Sequence, residues 1–235
     1  MRRALVRKSS DAGKVEALTN LGTKVIQVDL TDAEALKQAC TGVSCVVSAL
    51  AGLCEVIIDA QLLLLNAAVA AGVPRFIPSD FASDFTQLPE GENRNFDLRK
   101  EFHTHLDKAN IAGTSIMNGA FAEILRYNTP FYNLKNNTVG FWGDADWKVD
   151  FTTKDNTAEF AAAAALDNAT PEILRIASFQ ISANEIAAIG TDVKKTAFKL
   201  IPMGTLAGLS EYNKSERAAH PEGENQLYAS WQQSQ

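Results

Sequence analysis

The sequence is poor in sulfur and imidazole. Its 235 residues include three cysteines, Cys40, Cys45 and Cys54, and three histidines, His103, His105 and His220. The cysteines show no C-x-x-C spacing and no nearby histidine, so they make no zinc site, which draws on closely paired ligands. Nor do three scattered thiols make a disulfide framework; buried free thiols in a reducing, cytoplasmic compartment are expected. His103 and His105, two apart on one helix, point to different faces and form no metal pair. Long apolar runs are absent too. The richest, Val56 to Ala71, contains Asp59, Gln61 and Asn66 and falls short of the ~20 apolar residues of a membrane-spanning helix. It reads as a core helix, with no membrane partner. Excess positive charge is missing: the net charge is −6, whereas a nucleic-acid binder usually shows a basic patch. No apolar region follows the basic start, so no secretory signal is visible. No G-x-S-x-G elbow of a hydrolase occurs. Finally, no G-x-G-x-x-G lies near the start, where the glycines are Gly13, Gly22 and Gly42.

What is present is alternation. Residues 3–7 form a strand ending in Arg7, Lys8 and Ser9, a helix runs from Asp11 to Leu21 and stops at Gly22, and a strand from Lys24 to Leu30 ends at Asp29. Thr31 or Asp32 caps the next helix, Gly42 stops it, and Val43 to Leu50 is a near-continuous apolar strand, as parallel sheets require. The helix around Gln61 follows. Strand and helix in turn, at short spacing, mean βαβ units. The fold class expected is α/β, a doubly wound parallel sheet of the Rossmann type, with a smaller C-terminal α+β lobe. The Rossmann-type part is placed at 1–118 and the lobe at 119–235. In the lobe, Gly140–Phe151 reads as a hairpin leading into a strand. Phe131, Tyr132, Trp142 and Trp147 either pack that lobe or wall an apolar pocket.

The stretch from Val73 to Leu125 organises the chain. Arg75 to Ile77 is an apolar strand ending on Ser79, Asp80 and Phe81. Asn95 or Asp97 caps the next helix, in which Leu98, Phe102, Leu106 and Ala109 recur at core spacing and Arg99 and Lys100 add charge. Gly113 to Met117 is a second strand, ending on Asn118, Gly119, Ala120 and Phe121. Ligands of open α/β sheets bind outside the carboxyl ends of the strands.

The runs R-F-I-P-S-D-F and T-S-I-M-N-G-A-F, with the cation-bearing helix between them, resemble the NmrA-like and isoflavone-reductase-like branch of the atypical short-chain dehydrogenases. The resemblance implies an NADP(H)-dependent oxidoreductase acting on a small aromatic or carbonyl-bearing molecule. It implies Arg7, Lys8 and Ser9 at the 2′-phosphate, and Asp29 and Leu30 beside the adenine. It further implies Ser48, Ala49, Leu50, Ser79 and Phe81 along the cofactor, and Asn118, Gly119 and Phe121 at the substrate. That a strand near 173–177 returns to the sheet is likewise an expectation of the resemblance. The family's helix lysine is a proton donor. Arg99 falls where it is expected and Lys100 one place later. Arginine stays protonated and is a poor proton shuttle, so Lys100 is the proton-donor candidate. The same substitution raises a second reading, a non-catalytic NADP-sensing regulator that binds a partner protein.

The chain opens on what resembles the family's second strand, without the first βα unit and its Gly-rich turn. In the strand order 3-2-1-4-5-6 the missing strand is central. Either the strand of residues 3–7 pairs directly with Val43–Leu50, or a gap with two unpaired edges remains. Without the turn that cradles the pyrophosphate, the 235-residue chain is expected to bind NADPH weakly or not at all and to be inactive.

Overall fold

The computed structural model describes residues 2–129, 131–229 and 231–232. It divides into two compact units, each made of discontinuous segments. The first comprises Met1–Ser79, Leu98–Thr114 and Ala165–Asn168; the second comprises Asp80–Asp97, Ser115–Ala164 and Ala169–Gln235.

In the first unit, β1 (Arg3–Arg7) lies parallel to β2 (Lys24–Val28), with Arg3 opposite Lys24 and Arg7 opposite Val28. The connecting helix α1 (Ala12–Asn20) starts at Asp11, whose carboxylate accepts the Lys14 N–H at 3.0 Å. It stops before Gly22, where φ is +72°, a left-handed backbone that glycine adopts at no steric cost. Asp32 caps α2 (Ala33–Cys40) in the same way, through the Ala35 N–H at 3.0 Å. β3 (Val46–Val47) is followed by a π-helical stretch, Glu55–Ala60, that leads into α3 (Gln61–Ala70). β4 (Arg75–Ile77) is buried throughout, and it pairs in parallel with β3 on one side and β5 (Ala112–Gly113) on the other. The core gathers Leu36 of α2, Ile57, Leu65 of α3, Phe76 of β4, and Phe102 and Leu106 of α4 (Arg94–Leu106). Burying each such side chain contributes about 1.5–3 kcal/mol. Buried Arg75 donates to Thr114 Oγ1 at 2.5 Å and to the Asn168 carbonyl at 3.2 Å.

β1–β2 and β3–β4–β5 are separate sheets, with no ladder between β1 and β3. Of the two arrangements expected, the gap is the one found. It also shortens the expected Val43–Leu50 strand to two residues. β3 is an edge whose only ladder partner, β4, is three residues long, and the Val43 N–H is drawn into a turn with the Cys40 carbonyl.

In the second unit, the expected Gly113–Met117 strand is divided. β5 belongs to the first unit, and β6 (Ser115–Met117) pairs here with a later strand, β11 (Ile173–Arg175). β7 (Ala120–Phe121), β8 (Tyr132–Asn133), β9 (Thr138–Trp142) and β10 (Val149–Thr152) follow, then α5 (Lys154–Leu166). β11 (Ile173–Arg175) returns to pair in parallel with β6. β12 (Phe179–Ile181) precedes α6 (Ala183–Lys194), which opens with a reciprocal Ser182–Glu185 capping box, and β13 (Lys199–Gly204) precedes α7 (Leu206–Ala219). The hairpin expected over Gly140–Phe151 does not form. β9 pairs with β13 and β8, while β10 pairs with β12 and β7. The turn around Asp144, whose carboxylate accepts the Asp146 N–H, carries the chain from one sheet to the other.

The cap of α4 is neither Asn95 nor Asp97 but Asn93. Its Oδ1 accepts the N–H groups of Asn95 and Phe96 at 3.0 and 3.2 Å. Tyr132 stacks on Phe198 and Trp142 lies against Tyr212, so those two aromatics pack the lobe. Among the described residues no helix is long and apolar enough to cross a membrane.

Gly119 joins β6 to β7 with φ at +62°, and a Cβ there would lie 2.3 Å from the Asp150 carbonyl oxygen. The left-handed backbone costs a non-glycine residue about 1–3 kcal/mol, and forcing the backbone apart adds about 1–3 kcal/mol. Gly119→Ala should therefore lower the unfolding free energy by about 2–6 kcal/mol. Urea titration followed by circular dichroism measures it, and an unchanged midpoint would show that β10 can move away.

Candidate functional site

The first unit holds a groove of about 470 Å³ between β1 and the segment 43–50. Its walls are β1 on one side and residues of β3 on the other, with Ala60 and Leu64 among its lining. Five of the sequence candidates meet there: Arg7, Leu30, Ser48, Ala49 and Leu50. They stand at the carboxyl ends of β1, β2 and β3, where an open α/β sheet places its ligands.

The turn after β1 is closed by the Ser10 N–H on the Arg7 carbonyl at 2.9 Å, and Arg7, Lys8 and Ser9 are exposed. Asp29 is exposed as well. Its Oδ1 accepts the Thr31 N–H at 2.9 Å and the Thr31 hydroxyl at 2.7 Å. Those two hydrogen bonds hold its pKa below the usual carboxylate value, with Lys8 adding to the effect. Lys8, Ser9 and Asp29 thus stand beside the groove and do not line it. Ser48 is buried, and its Oγ has no hydrogen-bond partner.

Ser79 is buried and already engaged. Its hydroxyl donates to the Leu50 carbonyl at 2.6 Å, and its N–H donates to Gln61 Oε1 at 2.9 Å. Gln61 in turn donates from Nε2 to the Ile57 carbonyl at 3.1 Å. A buried polar group has to be satisfied, and this chain of bonds ties the end of β4 to the segment after β3. Gln61 is a positioning residue that sequence reasoning missed. Its signal was an amide in the apolar run Val56–Ala71, read there, with Asp59 and Asn66, as nothing more than an interruption.

Arg99 and Lys100 are half-buried on α4 within the first unit. Phe81, Asn118, Gly119 and Phe121 belong to the second. There Asn118 is fully buried, and its carbonyl accepts the Thr152 hydroxyl at 2.6 Å. Its amide nitrogen and oxygen are buried without hydrogen-bond partners. Asp80, also buried, accepts the Ser115 hydroxyl at 2.6 Å. Gly119, Phe81 and Phe121 are partly exposed.

Residues 1–217 match the profile of the NmrA-like family. The chain belongs to that family. Among curated NmrA-like relatives, pinoresinol reductase 2 of Arabidopsis thaliana is 30% identical over 165 residues, 65% of this chain and 52% of the relative. Pinoresinol reductase 1 of the same plant is 31% identical over 152 residues, 60% of this chain and 48% of the relative. The chain therefore spans about half the length of the curated relatives it matches. The crystal structure of an isoflavone reductase superposes with a TM-score of 0.80 at 22% identity, over 99% of this chain and 80% of the other. The binary complex of leucoanthocyanidin reductase with NADPH from Vitis vinifera superposes with a TM-score of 0.75 at 17% identity, over 95% and 77%. At such identities the superpositions establish the fold, a Rossmann-like α/β architecture.

Two thiols line the groove of this NmrA-like chain, Cys40 and Cys45. Burial pushes Cys45 up to about 11, against a smaller opposing effect of Arg75, and burial raises Cys40 as well. The thiolate is the reactive form, so neither is a nucleophile at neutral pH. Cys54 is exposed. A thiol-reactive chromophore at pH 8 should therefore label one equivalent rapidly and the other two after unfolding in guanidinium. Rapid labelling of two or three equivalents in the native protein would show that the groove opens.

Proposed function

We propose that the protein is an NADP(H)-dependent oxidoreductase acting on a small aromatic or carbonyl-bearing molecule. The observation that carries the reading is Arg7, exposed at the carboxyl end of parallel β1 and sharing one groove with Leu30, Ser48, Ala49 and Leu50. The named relatives are reductases, which supports the reaction class.

The residues present fit a 2′-phosphorylated dinucleotide. Two cations and a hydroxyl, Arg7, Lys8 and Ser9, end β1, and no carboxylate stands there to hold a ribose diol. Leu30 offers an apolar edge for the adenine and Asp29 borders it. Ser48, with its unpartnered Oγ, and Ala49, with no bulk beyond Cβ, let a ligand approach the backbone, while the bonded Ser79 keeps Leu50 in place. Phe81 is the cofactor-side candidate in the second unit. Residues 1–118 carry the cofactor functions and 119–235 the substrate functions, with Asn118, at the boundary, joining Gly119 and Phe121 on the substrate side. When bound, reduced nicotinamide supplies a hydride. The matching proton comes from the Lys100 ammonium, and the permanent charge of Arg99 orients an anionic or polar group.

Calorimetric titration tests the cofactor. In a form of the protein that carries the Gly-rich turn the resemblance implies, NADPH should bind at least tenfold more tightly than NADH. Arg7→Ala should remove most of the difference, because a charge-assisted hydrogen bond contributes about 1.5–3 kcal/mol, about ten- to a hundredfold. Equal affinities before mutation would refute the assignment.

Turnover is tested on the same form of the protein, with pinoresinol as the probe and an isoflavone in parallel. Lys100→Met should abolish NADPH oxidation while leaving NADPH affinity within about twofold. If oxidation survives that change and disappears in Arg99→Ala, the arginine orients the substrate and the proton has another source.

A further inference from the structure

We infer that Glu123 is a positioning residue for the candidate substrate segment Asn118–Phe121, acting through the first N–H of α5. This role rests on the reductase reading, and the residues it joins all belong to the second unit. Little else holds that segment. β7 is an edge strand of two residues whose ladder partner is β10, with Ala120 opposite Phe151 and Phe121 opposite Thr152. That is short against the usual strand of about five residues. At the near end of the segment, the Asn118 N–H donates to the Ala82 carbonyl at 2.9 Å, and the Asn118 carbonyl accepts the Thr152 hydroxyl at 2.6 Å. The buried Asn118 side chain adds no hydrogen bond, since neither of its polar atoms has a partner.

At the far end the backbone ladder cannot continue. The chain turns into a 3-10 helix at Ala122, and β10 runs on into α5 at Lys154. Continued two residues, the register of β7 and β10 sets Lys154 opposite Glu123. There a side chain takes over from the backbone, and Glu123 Oε1 accepts the Lys154 N–H at 3.0 Å. That N–H is one of the four that a helix start leaves without an intrahelical acceptor. Thr153 Oγ1 accepts the Asn156 N–H at 3.1 Å, so the helix's own cap serves one N–H and the neighbouring strand's continuation serves another. A carboxylate suits the place, because the N-terminal end of a helix favours negative charge. The Lys154 N–H has the largest effect on this carboxyl. With the charges of Lys154 and Arg126 it holds the pKa below the usual value, although burial opposes them. Glu123 Oε2 is shielded from solvent without a hydrogen-bond partner. A glutamine, with NH2 in that place, would keep the bond to Lys154 and leave a buried donor unsatisfied.

Glu123→Ala and Glu123→Gln are compared with the unsubstituted protein, in the form that carries the Gly-rich turn. Hydrogen exchange at the Lys154 amide should speed up about ten- to a hundredfold in Glu123→Ala, as expected for loss of a bond to a charged acceptor. The Asn118 amide, at the other end of the segment, should speed up about tenfold, while amides of α6 stay unchanged. With pinoresinol or an isoflavone, KM for the organic substrate should rise about tenfold, with kcat and the KM for NADPH within about twofold. Glu123→Gln keeps an acceptor oxygen and should raise the substrate KM about fivefold at most. If the alanine variant does not fold, the glutamine variant decides alone, and an unchanged KM then overturns the inference. Faster exchange at Lys154 with Asn118 and the substrate KM unchanged would reduce Glu123 to a cap of α5 and overturn it. So would a fall in kcat with the substrate KM unmoved. If the unsubstituted protein oxidises NADPH with neither probe, the reductase reading is refuted instead. The Asn118 exchange rate then upholds or overturns the hold of Glu123 on the segment by itself.

Discussion

A strand inside a parallel sheet needs hydrogen-bond partners on both edges. Each residue brings one donor and one acceptor that water cannot reach once the sheet is covered. In the first unit, among the described residues, only β4 has ladder partners on both edges, and β1 and β3 line one groove without a ladder between them. Several features follow from that one break. β3 registers as two residues although the apolar run around it is eight long. The rim of the groove is formed by the carboxyl ends of three strands. Ser79 and Gln61 spend their polar groups bracing the end of β4 against the segment after β3, and not on solvent.

The second unit solves a related problem with a side chain. Residues 221–229 and 231–232 form a short 3-10 turn and irregular chain, and irregular backbone buries poorly. Arg94, at the first turn of α4, donates to the carbonyls of Gly223, Glu224 and Gln226 at 3.1, 2.8 and 2.7 Å, and to Gln232 Oε1 at 3.1 Å. Its guanidinium lies 5.3 Å from the ring centre of Trp231, and Arg217 lies 5.0 Å from the same ring. A cation at a helix N-terminus opposes the macrodipole, and burial lowers the Arg94 pKa while Glu224 raises it. The carbonyls, the carboxylate and the indole face together supply what the helix end withholds. Only a planar five-donor fork can serve so many acceptors at once, so lysine would not replace it.

The alternation of elements was legible because caps and stops are local. Asp11, Asp32, Gly22 and the Ser182 box each act within four residues. The strand near 173–177 came from the resemblance and not from a local signal; β11 lies within those residues and pairs with β6. The failures share a cause, which is that pairing is non-local. Nothing within Gly140–Phe151 says that its two strands belong to different sheets, because that choice is made by β13 and β12. Nothing within Val43–Leu50 says that one edge stays open. The cap at Asn93 was misplaced by two or four residues because Asn95 and Asp97 are equally good cap types. Asn95 is instead spent on the Leu227 carbonyl at 2.9 Å, and Asp97 on the Gly91 N–H at 3.1 Å, partners that no local reading supplies. For the candidate site, the polar residues at strand ends could be found from their position, but their state could not. Asn118 and Ser79 read as ligand-facing side chains and are buried.

The sign of charge at the rim decides what the groove can hold, and the local bonds fix that sign. Asp29 is anionic, but both its position and its oxygen are committed. It ends β2, one residue past the partner of Arg7, and one oxygen takes two hydrogen bonds from Thr31. The hydrogen bonds lower its pKa and leave it fewer lone pairs for a ribose hydroxyl. Arg7 has the opposite arrangement. Its carbonyl is satisfied within its own turn by Ser10, and its guanidinium is exposed at the strand end. A permanently charged fork can grip a phosphate through two parallel bonds, whereas a diol offers it no charge to answer. The proposed preference for a 2′-phosphorylated dinucleotide therefore rests on which of two neighbouring strand ends has its charged group uncommitted, and not on the net charge of the protein, which is negative.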